Sequence, residues 1–152
     1  MRKLYIDCCG GLSGDMLVAA LIDLGVKTNK ITEAFDTFTV RSGKELSYKI
    51  SYEDYDGVKA CEFNVICDES EKTLEAATGN AHTRSLEEVH EMLDMFDMSG
   101  YAKTIARRIY NIIAGSEATV YSMNPGDIKL FEDGSLQTIA CIAAFAICFD
   151  TL

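Results

Sequence analysis

Lys3-Leu4-Tyr5-Ile6-Asp7-Cys8-Cys9-Gly10-Gly11-Leu12-Ser13-Gly14-Asp15-Met16, with the apolar run behind it, is the stretch on which the fold of this chain turns. Leu4 to Ile6, aromatic and β-branched, predict a short strand. A loop holding two glycines follows, and Ser13 then opens a helix through Leu17, Ala20, Leu21 and Leu24. Gly25 is placed to end that helix with a residue that tolerates positive φ. A strand that enters a glycine loop and then a helix N-terminus gathers several things at one corner. Backbone N–H groups, the positive end of a macrodipole and the carboxylates of Asp7 and Asp15 meet there. A polar ligand is expected at that corner.

Beyond it, Asn29 to Phe38 predicts a second helix, with Ile31, Ala34, Phe35 and Phe38 on its apolar side. From Leu46 the period changes to two: Leu46, Tyr48, Ile50 and Tyr52 alternate with polar residues. Asp54-Tyr55-Asp56-Gly57 is a turn, and Cys61, Phe63, Val65 and Cys67 alternate back, which makes a β-hairpin. The polar stretch Asp68 to Thr83 reads as an exposed loop. Ser85 and Glu88 form a capping box for a helix to about Met95, and a longer helix runs from Tyr101 towards Val120. Ile128 to Phe131 suggests a short strand. Asp133-Gly134-Ser135 then caps a last helix, Leu136 to Phe149, apolar nearly all round and therefore buried. The expected fold is α+β: a small, mostly antiparallel sheet of the first strand plus the hairpin, covered by about five helices in one domain.

Composition narrows the partners. The chain has 152 residues, 48% hydrophobic and 25% charged, with a formal net charge of −10. Such an acidic balance argues against nucleic acid or an anionic membrane surface, which need a Lys/Arg excess. The run Ile139 to Phe149 is too short to cross a bilayer. Arg2-Lys3 followed at once by a strand with Asp7 does not read as a signal peptide. Six cysteines include the adjacent Cys8 and Cys9, and no C-x-x-C spacing occurs. Free thiols in a reducing cytoplasm are the expectation.

Each candidate group has two readings. Asp7 and Asp15 offer hard oxygen ligands for a divalent cation or a ribose–phosphate group. Alternatively Ser13 is the N-cap, Asp15 a first-turn carboxylate worth about 0.3–1 kcal/mol, and Asp7 a loop cap. Gly10-Gly11-Leu12-Ser13-Gly14 can cradle a phosphate, yet it lacks a lysine and matches neither the Walker nor the dinucleotide pattern. Cys8 and Cys9 lie where a helix N-terminus would favour a thiolate, or they are small apolar fillers. His82 and His90 lie on either side of a helix cap. Imidazole is a good nickel ligand, but two without a third partner make a poor site. Arg84 can meet an anion or pair with Glu88, and Glu132 can neutralise the start of the last helix. No Ser/His/Asp nucleophile set can be assembled.

The opening Leu4-Tyr5-Ile6-Asp7-Cys8 through Gly11-Leu12-Ser13-Gly14-Asp15-Met16 resembles the start of the LarC family, the nickel insertion proteins that mature the nickel-pincer nucleotide cofactor of lactate racemase. Asp56-Gly57-Val58, His82-Thr83-Arg84-Ser85-Leu86 and Ile128 to Ile139 follow in the family's order. The resemblance covers the whole chain but only the N-terminal portion of a full-length member. It implies CTP-dependent nickel insertion into pyridinium-3,5-bisthiocarboxylic acid mononucleotide. It places nucleotide contacts at Gly11, Ser13, Gly14 and Arg84, and a divalent metal (nickel, manganese or magnesium) at Asp7, Asp15, His82 and Glu132. It also implies a homo-oligomer or a separately encoded C-terminal partner. The chain departs from the family's pattern at Lys129 and Phe131, where histidines are expected, at Gln137 in place of an aspartate, and at Ser85. A non-catalytic ligand-binding or assembly module, or one half of a split protein, is the alternative.

Overall fold

The structure, a computed structural model, describes residues 3–67 and 83–152. His82, and the polar loop expected over 68–83 but for Thr83, lie outside the described residues. Five helices are present among these: α1 (Gly14–Asp23), α2 (Asn29–Ser42), α3 (Leu86–Met95), α4 (Gly100–Tyr121) and α5 (Leu136–Thr151). Four strands accompany them: β1 (Leu46–Tyr55), β2 (Val58–Cys67), β3 (Arg84–Ser85) and β4 (Lys129–Leu130). The class is α+β, as expected.

The hairpin forms as its turn chemistry dictates. Asp56 and Gly57 both take positive φ (54° and 85°), the conformation a two-residue type I′ turn demands. The Asp54 carboxylate accepts a hydrogen bond from the Gly57 N–H at 2.7 Å and closes the turn. The register then runs from Tyr55 opposite Val58 to Leu46 opposite Cys67. One face carries Leu46, Tyr48, Ile50, Phe63 and Val65, and this face meets the helices. Tyr48 stacks on Phe63 and meets Phe35 of α2 edge-on, and Phe38 stacks on Phe96 after α3.

α5 is the centre of the packing. It touches α1, α2, α3, α4 and β2, and its Ile139, Ala140, Ala143, Ala144, Ala146 and Cys148 are fully buried. The alanines let neighbouring backbones approach closely, while Ile139 contributes roughly 1.5–3 kcal/mol by leaving water. Cys141 and Cys148 are buried thiols of the core, and none of the six cysteines forms a disulfide.

The first strand does not form. Residues 3–13 carry neither helix nor strand, and the sheets are the β1–β2 hairpin and a separate two-residue β3–β4 pair. Tyr5 is 88% exposed and Ile6 is exposed too; only Leu4 packs against the core. A strand whose side chains stay in water gains no packing to offset the ordering of its backbone. The short strand expected near Ile128 is real, but it pairs with Arg84–Ser85 rather than with the hairpin.

Candidate functional site

A cleft of about 320 Å³ opens where the first turn of α1 meets the first turn of α5. Ser13, Gly14 and Asp15 line it from α1, and Asp133, Gln137 and Thr138 from the α5 side. Asn64 and Val65 of β2, Ile113 of α4 and Cys141 of α5 also line it.

The α1 side is built by a close helix–helix approach. A Cβ added to Gly14 would lie 3.3 Å from the Cys141 Cβ, so glycine lets the first turn settle on α5. Ser13 is the N-cap by position, but its hydroxyl takes no bond from the helix amides. It donates instead to the Asp15 carboxylate, which also accepts from the Met16 N–H at 3.0 Å. The helix-capping reading of Ser13 therefore gives way to a Ser13–Asp15 pair at the cleft.

The α5 side is a heavily bonded turn. Ser135 caps α5 by accepting from the Thr138 N–H at 3.2 Å. The Glu132 carbonyl accepts from the Ser135 N–H and the Thr138 hydroxyl, each at 3.0 Å. Tyr110 donates its hydroxyl to the Asp133 carbonyl at 2.8 Å, and Arg84 donates to the Gly134 carbonyl at 2.5 Å.

Electrostatics fix the protonation of two lining or supporting groups. Burial, with the nearby Asp15 charge adding to it, pushes the Cys141 thiol up to about 11, so it faces the cleft as a neutral thiol. Burial also drives the Tyr110 phenol far above its ordinary range, and Asp133 adds to the effect. Tyr110 is thus a permanent hydrogen-bond donor.

The structure divides the expected site residues. Ser13, Gly14 and Asp15 come together at the cleft. Asp7 turns into its own loop, where it accepts from the Cys9 N–H at 3.0 Å. Hydrogen bonds from Cys9 hold the Asp7 carboxyl below its usual range, and the same contact raises the Cys9 thiol. Cys9 is exposed, so it is not the small apolar filler expected, and the alternative of a thiolate favoured by helix amides fails too, because a carboxylate is its neighbour. Gly11 serves the loop through its positive φ of 92°, with no atom within 4 Å of a built Cβ.

Arg84 points inward and binds the turn before α5. The partner foreseen for it, Glu88, instead completes the capping box with the Ser85 N–H. Glu132 is exposed and acts through its backbone; Asp133, its neighbour, is the residue that reaches the cleft. His82 lies outside the described residues. His90 is half-buried on α3, and its Nε2 is buried with no hydrogen-bond partner among the described residues. Desolvation, with Arg107 nearby, lowers its pKa. Among the described residues no group of three His, Cys, Asp or Glu is gathered to hold a metal ion.

Comparison with known proteins bears on this arrangement. The family described as Nickel insertion protein matches residues 4–152. The chain belongs to that family. A pyridinium-3,5-bisthiocarboxylic acid mononucleotide nickel insertion protein of Alkaliphilus metalliredigens is 28% identical over 159 aligned residues, covering 99% of this chain and 37% of the relative. Proteins of the same name from Acetivibrio thermocellus and Geobacillus kaustophilus are 30% and 32% identical, each covering 100% of this chain and 36% of the relative. This nickel insertion family member therefore spans little more than a third of the length of these curated relatives. No solved structure gives a significant match. No helix among the described residues is long and apolar enough to cross a membrane.

Proposed function

We propose that this chain is the cleft-bearing portion of a nickel insertion protein. Its cleft would receive nickel as cargo together with the pyridinium-3,5-bisthiocarboxylic acid mononucleotide that accepts it. One observation carries this reading: Ser13, Gly14 and Asp15 from one end of the chain and Asp133, Gln137 and Thr138 from the other line the same cleft. Both lie in the segments that resemble the family's motifs.

The chemistry of the lining supports it. Asp15 and Asp133 are hard oxygen donors for a divalent cation. The first amides of α1 suit a phosphate. Hydroxyls and amides of Ser13, Asn64, Gln137 and Thr138 suit a ribose. Asp15 and Asp133 offer no more than carboxylate oxygen, and Lys129 and Phe131 add neither imidazole nor thiolate, the stronger nickel ligands, so nickel would be held loosely. Loose binding fits a cargo that must leave for the softer sulfur atoms of the acceptor. Turnover with CTP is expected only when the remaining portion found in full-length relatives is present.

Calorimetric titration of Ni²⁺ and Mn²⁺ into the purified chain tests the reading. The expectation is saturable Ni²⁺ binding tighter than Mn²⁺ binding, as ligand-field order dictates. The D15N variant should bind Ni²⁺ at least about tenfold more weakly with its circular dichroism unchanged. A chain that takes up neither metal overturns the reading. That outcome would favour the alternative, a non-catalytic ligand-binding module.

A further inference from the structure

We infer that Tyr110 and Arg84 are positioning residues that hold Asp133 at the cleft for its ligand; this rests on the reading of the cleft given above. Two buried donors from separate elements grip two consecutive carbonyls. Tyr110, on α4, donates to the Asp133 carbonyl at 2.8 Å, and Arg84, on β3, to the Gly134 carbonyl at 2.5 Å. A third constraint comes from β4. A Cβ on Gly134 would stand 2.6 Å from the Leu130 carbonyl oxygen and 3.3 Å from the Arg84 Cβ, so the turn is pressed flat against the β3–β4 pair.

Packing alone does not call for such groups. A guanidinium only 8% exposed gives up much of its hydration, and a leucine or methionine would fill the space without that cost. A phenylalanine would likewise fill the place of Tyr110, whose side chain is fully buried. What the two polar groups add is direction: they fix the backbone on both sides of the Asp133–Gly134 peptide. The residue so fixed, Asp133, lines the cleft together with Asp15. Outer-sphere partners of this kind commonly tune a metal ligand by tenfold or more.

The experiment is Ni²⁺ titration of the whole chain and four variants, each checked by thermal unfolding. Y110F keeps the ring and removes the donor; its Ni²⁺ affinity should fall roughly tenfold. R84K keeps the charge but not the planar fork, and should lose affinity in the same direction. V89A, a core truncation outside the cleft lining, should lower the melting temperature and leave the affinity unmoved, which separates positioning from loss of stability. D133N reports on the cleft itself. If neither the wild-type chain nor D133N binds Ni²⁺, the cleft reading fails and the inference falls with it; if D133N binds Ni²⁺ as the wild type does, the inference alone is overturned. If D133N loses affinity while folded Y110F and R84K bind as wild type, the inference alone is overturned. Should Y110F not fold, R84K decides.

Discussion

Gly134 lies so close to Leu130 that a Cβ added to it would stand 2.6 Å from the Leu130 carbonyl oxygen. A backbone oxygen cannot swing aside as a flexible side chain can. G134A should therefore cost about 1–3 kcal/mol, the range for overpacking a close contact. For a chain of this size each kcal/mol lowers the melting temperature by about 2–4 °C. Gly126 has nothing within 4 Å of a built Cβ, so G126A should stay within about 0.5 kcal/mol of wild type. Equal midpoints for the two variants in a thermal melt would refute the close approach.

Thiol reactivity gives an independent check on the placement of α5. Cys8 and Cys9 are exposed, Cys61 and Cys67 half-buried, and Cys141 and Cys148 buried. Burial lifts Cys141 to about 11 and Cys148 to about 12, so neither supplies thiolate at pH 8. Native labelling with an aromatic disulfide reagent should show Cys8 among the fast thiols and Cys148 reacting only on unfolding. Peptide mapping that finds Cys148 modified early would mean that α5 is not the core helix.

Much of this fold is written in local pattern. The hairpin was legible because Asp-Gly demands positive φ at its turn and the flanking residues alternate strictly. α3 was legible from Ser85 and Glu88, and α5 from a run too apolar to face water. The first strand was misread for the same kind of reason. Leu4, Tyr5 and Ile6 have strand propensity, but propensity says nothing of whether a partner edge is within reach, and none is paired here. At the site, Ser13, Gly14 and Asp15 could be found because they start a helix after a glycine loop. Asp133 was passed over for Glu132, since only the tertiary bonds from Tyr110 and Arg84 decide which of the two reaches the cleft. The signal that could have found it is its position two residues before the cap Ser135. Asn64 and Cys141 carry no local mark at all.

Acid should weaken the start of α3 in a defined direction. The Glu88 carboxylate accepts from the Ser85 N–H at 2.6 Å, and this bond holds its pKa below the ordinary 4.5. A carboxylate with a depressed folded pKa stabilises the fold above its unfolded pKa and loses that contribution as pH falls through the folded value. E88Q carries no such titration. The stability gap between wild type and E88Q, from urea unfolding, should be constant from pH 7 to pH 5 and shrink below about pH 4.5. A gap that persists unchanged to pH 3 would rule out the charge-assisted cap.

Ser99 links the two longest helices from opposite ends. Its hydroxyl oxygen accepts from the Ala102 N–H at 3.0 Å, capping α4, and its proton goes to the Asp150 carboxylate near the end of α5 at 2.6 Å. S99A removes both bonds, and an N-cap serine replaced by alanine typically costs about 1 kcal/mol. D150N leaves the cap in place and keeps an acceptor, so its loss should be smaller, within about 0.5 kcal/mol. The two sites share one hydrogen bond, so the double variant should be less destabilised than the sum of the singles. Chemical unfolding of the four proteins in the cycle measures this directly. Strict additivity would mean that Ser99 acts on α4 alone and that the end of α5 is held by its apolar contacts instead.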